Sequence, residues 1–236
     1  MTMATKARRA SRARGEHTVG GPRCRLRAAS WLCGLVLLSG FARAGWFAEL
    51  GLGTAFSLPS DLVIRQEGEE DIEWVARYDT RPFYEVPYYD VRIGYQDRRG
   101  AWELELVHHK LYLANRPEEI ELFEITHGYN LITANRTLAV GEVAFRLGAG
   151  TVLAHPESTI RGLVFDERQG ILGTGWYFSG AAAQAAVAWP YRLSDRWRLN
   201  FELKLTGALA RVPVATGTAD VPNLALHLVI GAGYIF

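Results

Sequence analysis

The last fourteen residues, 223–236 (NLALHLVIGAGYIF), alternate strictly between two kinds of side chain. One set is large, apolar and ends on an aromatic residue: Leu224, Leu226, Leu228, Ile230, Ala232, Tyr234 and Phe236. The other set is smaller and partly polar: Ala225, His227, Val229, Gly231, Gly233 and Ile235. In a transmembrane β-barrel the larger apolar set faces lipid and the other set faces the lumen, so this stretch predicts a barrel strand.

Seven further segments alternate in the same way, each long enough for the roughly 9 to 11 residues that a tilted membrane strand needs. They are residues 46–56, 86–96, 101–113, 123–138, 143–154, 175–189 and 197–209. Short connections follow the second, fourth and sixth strands, and long ones follow the others, as periplasmic turns and extracellular loops do. The fold class is therefore predicted as all-β: an eight-stranded antiparallel up-and-down transmembrane β-barrel of the outer-membrane type.

Charged residues fall on the inward parity of these strands. They are Asp90, Arg92, Glu103, Glu105, Arg146, Arg198, Glu202 and Lys204, and His227 joins them on the last strand. Eight strands leave an interior just wide enough for side chains, so the charges are expected to neutralise one another and fill the lumen. A narrow proton or ion path is the alternative. A soluble lipocalin-like barrel is disfavoured, because its outer face would be richly charged.

The N-terminus predicts a secretory signal peptide over residues 1–44, followed by the barrel domain, 45–236. Eight basic residues and one acid precede a short apolar run at 31–40, and Ala42-Arg43-Ala44 fits a cleavage site before Gly45. Removing 1–44 takes 9 of 26 basic and 1 of 25 acidic residues, leaving 17 against 24 and a net charge near −7. Cys24 and Cys33 leave with it. An acidic chain without cysteine is expected to bind no nucleic acid and to form no disulfide.

Polar side chains at the extracellular ends of the third and fourth strands suggest a site. His108, Lys110 and Tyr112 continue the outward parity of the third strand, and His127 shares the parity of Leu131, which is expected to face lipid. These residues should emerge together at the rim, level with the lipid A headgroups of the outer leaflet. An interfacial girdle without chemistry is the alternative for Tyr and Lys at this height. A metal site from His127 with Glu124 and His108-His109 is left open, because no tight ligand spacing is present.

Several motifs resemble the lipid A oxidase family of small outer-membrane barrels. They are Arg77 to Phe83, Val86-Pro87-Tyr88-Tyr89-Asp90-Val91-Arg92, His108-x-Lys110-x-Tyr112, Phe123-Glu124-Ile125-Thr126-His127-Gly128-Tyr129-Asn130-Leu131, and Gly148-Ala149-Gly150 leading to Ala154-His155-Pro156. The resemblance implies the barrel fold and oxidation of the proximal glucosamine of lipid A to an aminogluconate with dioxygen. It supplies no catalytic residues, so the roles must come from chemistry.

The residues then suggest roles. His127 or His108 would act as a base, Glu124 and Asn130 would orient, and Lys110 with Tyr112 would bind lipid or phosphate. No Gly-rich nucleotide fingerprint is visible, so no nucleotide cofactor is expected, and a metal ion is possible. A lipid A deacylase using Ser158 or Ser179 ranks lower, since neither serine is near His127 in sequence.

The remaining expectations concern location and partners. The signal peptide and barrel place the protein in the bacterial outer membrane, as a monomer in contact with lipopolysaccharide. A final Phe236 with Tyr234 two residues before it resembles the C-terminal signature read by the barrel-assembly machinery. The rival to an enzyme is a structural or interaction barrel that displays the acidic loop, 66–73.

Overall fold

The computed structural model describes residues 44–165 and 168–236. The predicted signal peptide, its cleavage motif and both cysteines lie outside the described residues, apart from Ala44. The strands in chain order are β1 (Gly45–Ser57), β2 (Ser60–Gln66), β3 (Ile72–Ala76), β4 (Tyr78–Asp79), β5 (Tyr89–Asp97), β6 (Gly100–Leu113), β7 (Ile120–Val140), β8 (Val143–Ala154), β9 (Glu157–Ile160), β10 (Leu163–Val164), β11 (Tyr177–Arg192), β12 (Trp197–Val214), β13 (Gly217–Asp220) and β14 (Asn223–Ile235). A 3₁₀ turn, Ile171–Gly173, precedes β11. None of the helical structure in these ranges has the length and apolarity to cross a bilayer.

Eight of these strands close into a ring. In order they are β1, β5, β6, β7, β8, β11, β12 and β14, each antiparallel to both neighbours, and β14 returns to pair with β1. Closure gives every barrel strand two hydrogen-bonded partners, which is the condition for crossing lipid with strands. The predicted eight-stranded antiparallel barrel is therefore confirmed. The predicted strands begin or end within a few residues of the observed ones, and β8 matches its predicted bounds, 143–154.

The outer surface of the ring is apolar. Leucine, isoleucine and phenylalanine side chains of β1, β12 and β14 are exposed on it. Aromatic rings gather at the end that carries the short turns, where Trp46 packs edge-on against Tyr95 and Trp197 against Tyr234. An apolar band bordered by aromatic rings is the surface of a barrel immersed in lipid. The protein is an outer-membrane β-barrel.

Ion pairs fill the middle of the lumen. Arg92 contacts four carboxylates, with nitrogen–oxygen distances of 2.5 to 3.0 Å: Glu49, Asp90, Glu105 and Glu202. Arg146 pairs with Glu103 and Glu202, and Lys204 with Asp90, Glu105 and Glu202. The predicted mutual neutralisation is confirmed, because buried charges are tolerated only when paired and hydrogen-bonded.

An apolar core closes the lumen on the extracellular side of these charges. It joins Val107, Leu111 and Tyr129 of the barrel wall to Leu62 and Ile64 of β2, from the first long loop. His227 lies between the two layers, where its Nδ1 is 2.8 Å from the Tyr88 hydroxyl and its Nε2 is 2.8 Å from Thr206 Oγ1. The lumen position predicted for His227 is confirmed.

The wall between β1 and β6 is completed by a loop at the extracellular end. Pairing of β1 with β5 stops at Leu52 and Tyr89, while β1 and β6 both continue. β4 pairs with the end of β6, and the Thr80 hydroxyl donates a 2.9 Å hydrogen bond to the Ala55 carbonyl of β1. Residues 81–85 then cross the outside of the wall before the chain enters β5. We call them the covering segment.

The register predicts opposite responses to charge at two positions of β12. Leu203 faces lipid, so Leu203→Arg should reduce barrel stability by roughly 2 to 4 kcal/mol. Asn200 lies in the lumen beside Glu49, so Asn200→Lys should cost much less. The measurement is urea unfolding in detergent, followed by the shift between unheated and boiled protein on a denaturing gel. Equal effects at the two positions would contradict the register.

Removing the lumen's central cation should be severe. Arg92→Met leaves four carboxylates without their shared partner, and we expect a loss of about 3 to 5 kcal/mol in unfolding free energy. Arg65→Met is the matched control, because Arg65 is half exposed in its ion pairs with Asp71 and Asp220 and should cost at most about 1 kcal/mol. A mild effect of Arg92→Met would show that the lumen charges are hydrated rather than mutually paired.

Candidate functional site

The outer face of the β6–β7 hairpin carries most of the predicted site residues. Cross-strand partners share one face of a sheet, and alternate residues of a strand do as well. Leu106 lies partly exposed on the lipid side, two residues before His108, and His108 pairs with Asn130 of β7. Tyr112 pairs with Glu124, and Glu124 pairs with Glu157 of β9. The register therefore places five predicted residues on this face: His108, Lys110, Tyr112, Glu124 and Asn130.

The exposure predicted for three of them is wrong. His108, Lys110 and Tyr112 are only 2%, 0% and 5% exposed. The covering segment lies over Lys110 and Tyr112. The Lys110 ammonium donates a hydrogen bond to the Tyr84 carbonyl, and the Tyr112 hydroxyl donates one to Glu85 at 3.4 Å. Lys110 therefore interacts with the protein's own backbone and does not present its charge to phosphate.

The covering segment is bent onto the hairpin by two residues with left-handed backbone angles. Arg81 has φ 47° and Glu85 has φ 55°. The Arg81 guanidinium lies 4.4 Å from the centre of the Tyr112 ring, and the Tyr84 ring packs edge-on against the same tyrosine. These contacts connect residues about thirty positions apart, so strand alternation gives no indication of them.

The prediction that Leu131 of the fourth strand faces lipid is also wrong. Leu131 is 1% exposed and packs inside the barrel in the same core as Val107 and Val152. The odd-numbered residues of β7 point inward, while Asn130 belongs to the outer face. A signal for this was present in the sequence, because Thr133, Asn135 and Thr137 are the polar set, and all three are buried in the lumen.

His127 is nevertheless exposed, because β7 contains a bulge. His109 pairs with Tyr129 and Leu111 with Ile125, so three residues, Thr126 to Gly128, stand opposite Lys110. Gly128 has φ 140°, and a Cβ atom there would lie 2.4 Å from Asn130 Oδ1. The bulge turns His127 outward against the strand's parity, leaving its side chain 57% exposed.

His127 belongs to a second polar cluster at the extracellular end of β8. Its Nδ1 is 2.8 Å from Glu157 Oε1, and the Thr126 hydroxyl donates to the same oxygen at 3.0 Å. The His155 ring centre is 4.9 Å from that of His127, and Trp176 packs edge-on against His155 at 5.2 Å. We call His127, His155 and Glu157 the rim triad.

Sequence reasoning missed the roles of Glu157 and His155. His155 entered only as part of a motif, and both residues lie about thirty positions from His127. Pairing of β7 with β8 and β9 brings them together. The metal grouping left open in the sequence, His127 with Glu124 and His108-His109, is not brought together, since His109 points into the lumen towards His227.

The geometry gives His127 a defined chemical character. When Nδ1–H donates to a carboxylate, Nε2 holds the lone pair and is free to accept a proton or to bind a metal.

Glu124 lies at the extracellular end of β7, alongside the loop strand β9. Burial, and then the neighbouring carboxylates of Glu157 and Glu85, raise the pKa of Glu124 above its ordinary value.

His108 and Asn130 form a separate buried pair on the same face. His108 Nδ1 is 2.9 Å from Asn130 Oδ1, and its ring stacks on Tyr89 at 4.8 Å. Asn130 lies next to the bulge, since a Cβ atom at position 128 would be only 2.4 Å from the Asn130 side chain. It therefore supports the position of His127.

Comparisons with known proteins add only similarities of fold. No protein-family model matches the chain, and no curated protein does. The attachment invasion locus protein Ail of Yersinia pestis is 12% identical, with a TM-score of 0.40 over 82% of this chain and 100% of that one. Outer membrane protein W of Escherichia coli is 15% identical, with a TM-score of 0.42 over 83% and 99%. Neisserial surface protein A is 11% identical, with a TM-score of 0.40 over 81% and 97%. The barrel assignment rests on this chain's own closed register.

The bulge should depend on glycine at position 128. Gly128→Ala combines a left-handed backbone with a 2.4 Å contact to Asn130, and should cost about 1 to 3 kcal/mol. Gly68→Ala is the control, since Gly68 has φ 81° with no atom within 4 Å of its Cβ position. Thermal unfolding of the two variants in detergent makes the comparison. Equal losses would assign the effect to backbone angle alone and not to the crowded bulge.

Proposed function

We propose that this barrel binds lipid A with the outer face of the β6–β7 hairpin and oxidises its proximal glucosamine with dioxygen. The observation that carries the proposal is the exposed His127, held by Glu157, on the outside of the barrel at its extracellular end. Reactive groups at that place adjoin the headgroups of the outer leaflet, which in an outer membrane is lipopolysaccharide.

The filled lumen supports an external substrate. Arg92, Lys204 and their carboxylates occupy the centre, and the apolar core seals the extracellular side. Within the described ranges, 44–165 and 168–236, these side chains leave a substrate molecule no passage to lumen residues such as His227. His127 of the rim triad, by contrast, is exposed on the outside of the barrel.

The oxidation balances with dioxygen as the electron acceptor. The glucosamine C1 hydroxyl loses its proton, the C1–H bond breaks, and two electrons with two protons convert dioxygen into hydrogen peroxide. The resulting lactone is opened by water to the aminogluconate. His127 Nε2 is the proposed acceptor of the hydroxyl proton, and Glu157 orients the ring.

The other candidate residues take supporting roles in this proposal. His108 and Asn130 position the bulge, and Glu124 borders the triad. Lys110 and Tyr112 hold the covering segment, which presents the exposed Arg81 as a cation for a lipid phosphate. Lipid contact then depends on the covering segment and not on Lys110 directly.

A non-catalytic interaction barrel is the second candidate, favoured by one feature. The turn between β2 and β3 exposes four acidic residues: Glu67, Glu69, Glu70 and Asp71. Such a turn suits a cationic partner outside the cell. For either function we propose a monomer that reaches the membrane through the barrel-assembly machinery, with the exposed Phe236 as the recognised terminus.

The oxidase proposal predicts a split between two histidines. His127→Ala should abolish lipid A modification without loss of folding, because the side chain is exposed and contributes little packing. His227→Ala should lower stability, since it leaves Tyr88 and Thr206 without a partner, but should leave modified lipid A in place.

The measurement is mass spectrometry of lipid A from cells grown in air and without oxygen, with the heat shift on gels as the folding control. Modified lipid A at wild-type levels in the His127 variant would remove the rim site. Wild-type cells whose lipid A is identical with and without the gene would leave the interaction barrel as the better assignment.

A further inference from the structure

We propose that the rim triad binds one divalent transition-metal ion, of the iron(II) or zinc class, through both histidines and the Glu157 carboxylate. The inference deepens the proposed function and rests on it only for the reaction that the metal would serve. Metal binding by the triad can be measured without lipid A.

The three side chains already converge. One ligand atom from each lies within 4.8 Å of the others. Glu157 Oε1 is 2.8 Å from His127 Nδ1 and 3.9 Å from His155 Nδ1. For His127 Nδ1 to bind a metal its proton must move to Nε2, so the ion would replace the hydrogen bond between His127 and Glu157. Metal–ligand bonds of about 2.0 to 2.2 Å place neighbouring ligand atoms roughly 3 Å apart. The pair at 3.9 Å must therefore close by about 1 Å, and a pair as far apart as 4.8 Å by up to about 2 Å.

His155 provides an independent indication of a ligand. The residue is 8% exposed, and its Nδ1 has no hydrogen-bond partner in the described parts of the chain. A buried polar atom left unpaired costs about 1 to 3 kcal/mol, so such atoms are rarely kept without a use. That nitrogen points towards Glu157, where a metal ion would satisfy it.

The surroundings of the triad hold its members in place. The Thr126 hydroxyl donates to Glu157, and the His155 backbone N–H donates to the Gly128 carbonyl at 3.2 Å. Hydrogen bonds of this kind orient ligands and raise metal affinity. Because the His127 side chain is more than half exposed, coordination positions remain open on the side that faces solvent and lipid.

The donor set selects the class of metal. Two imidazoles and one carboxylate with open positions suit iron(II) or zinc, whereas magnesium and calcium prefer oxygen ligands alone. The other acidic grouping among the described residues, Asp90, Glu105 and Glu202, makes a contrast. Arg92 and Lys204 already contact this acidic group, so the protein's own cations neutralise its charge.

Iron in the triad could take part in the oxidation, whereas zinc does not change its oxidation state and could only polarise the sugar. The triad would hold the ion beside the sugar, and the two electrons and two protons released from the C1–H bond and the C1 hydroxyl would still go to dioxygen, giving hydrogen peroxide. His127 would then act as a ligand and not as the base.

The test uses cobalt(II) as the probe, with the full barrel folded in detergent and no lipid A present. We expect one equivalent to bind, with visible ligand-field absorption. Separate His127→Ala, His155→Ala and Glu157→Gln variants should each weaken binding at least tenfold. Glu118→Gln, which removes an exposed carboxylate remote from the triad, should bind as the wild type does.

A second readout comes from Trp176, whose ring lies against His155. Cobalt(II) should quench part of the tryptophan fluorescence at the same midpoint, and Trp176→Phe should lose that component while still binding the ion. The gel heat shift identifies any variant that fails to fold, and the exposed His127 keeps the test valid if His155→Ala does not fold.

The outcomes separate the two proposals. Absent binding, or binding unchanged in folded His127→Ala and Glu157→Gln variants, overturns the metal site whatever happens to lipid A. Triad-dependent binding with no gene-dependent change in lipid A supports the metal site and overturns the proposed oxidation.

Discussion

The ion pairs around Arg92 are the interaction on which the rest of the molecule depends. One guanidinium contacts four carboxylates from four strands of the ring, and Lys204 and Arg146 complete the group. Closing eight strands forces these side chains into a space too narrow for their hydration, so they must be paired. A lumen filled in this way leaves chemistry to the outside of the barrel.

The outside carries two irregular features at its extracellular end, and both shape the candidate site. β4 and Thr80 complete the wall where β1 and β5 part, and the covering segment that follows them buries Lys110 and Tyr112. The bulge at Gly128 lets β7 accommodate extra residues without changing the faces of its remaining side chains, and it exposes His127. Each feature departs from regular alternation, and such departures are common beside functional sites in sheets.

The rim triad arises where these features meet the end of β8. Its members come from two places in the chain, His127 in one and His155 with Glu157 in the other, and the pairing of β7 with β8 and β9 joins them. The site thus depends on the barrel for position, but it adds little to barrel stability, since His127 is exposed and the lumen network is distant in register. Because of that separation, substitutions can test folding, lipid A modification and metal binding independently of one another.

Alternation in the sequence determined the fold, because side chains of a strand alternate between two faces and a lipid face must be apolar along its whole length. The eight strands, the short turns, the inward charges and the lumen position of His227 all followed from it. Alternation left it ambiguous which residues of β7 face lipid. Leu131 is as apolar as a lipid-facing residue, yet it packs in the core. Only the tertiary structure decided that Lys110 is buried under residues 81–85, that Gly128 forms a bulge, and that His127 meets Glu157 and His155. These are contacts between residues some thirty positions apart, set by strand register and loop path, and no local spacing records them.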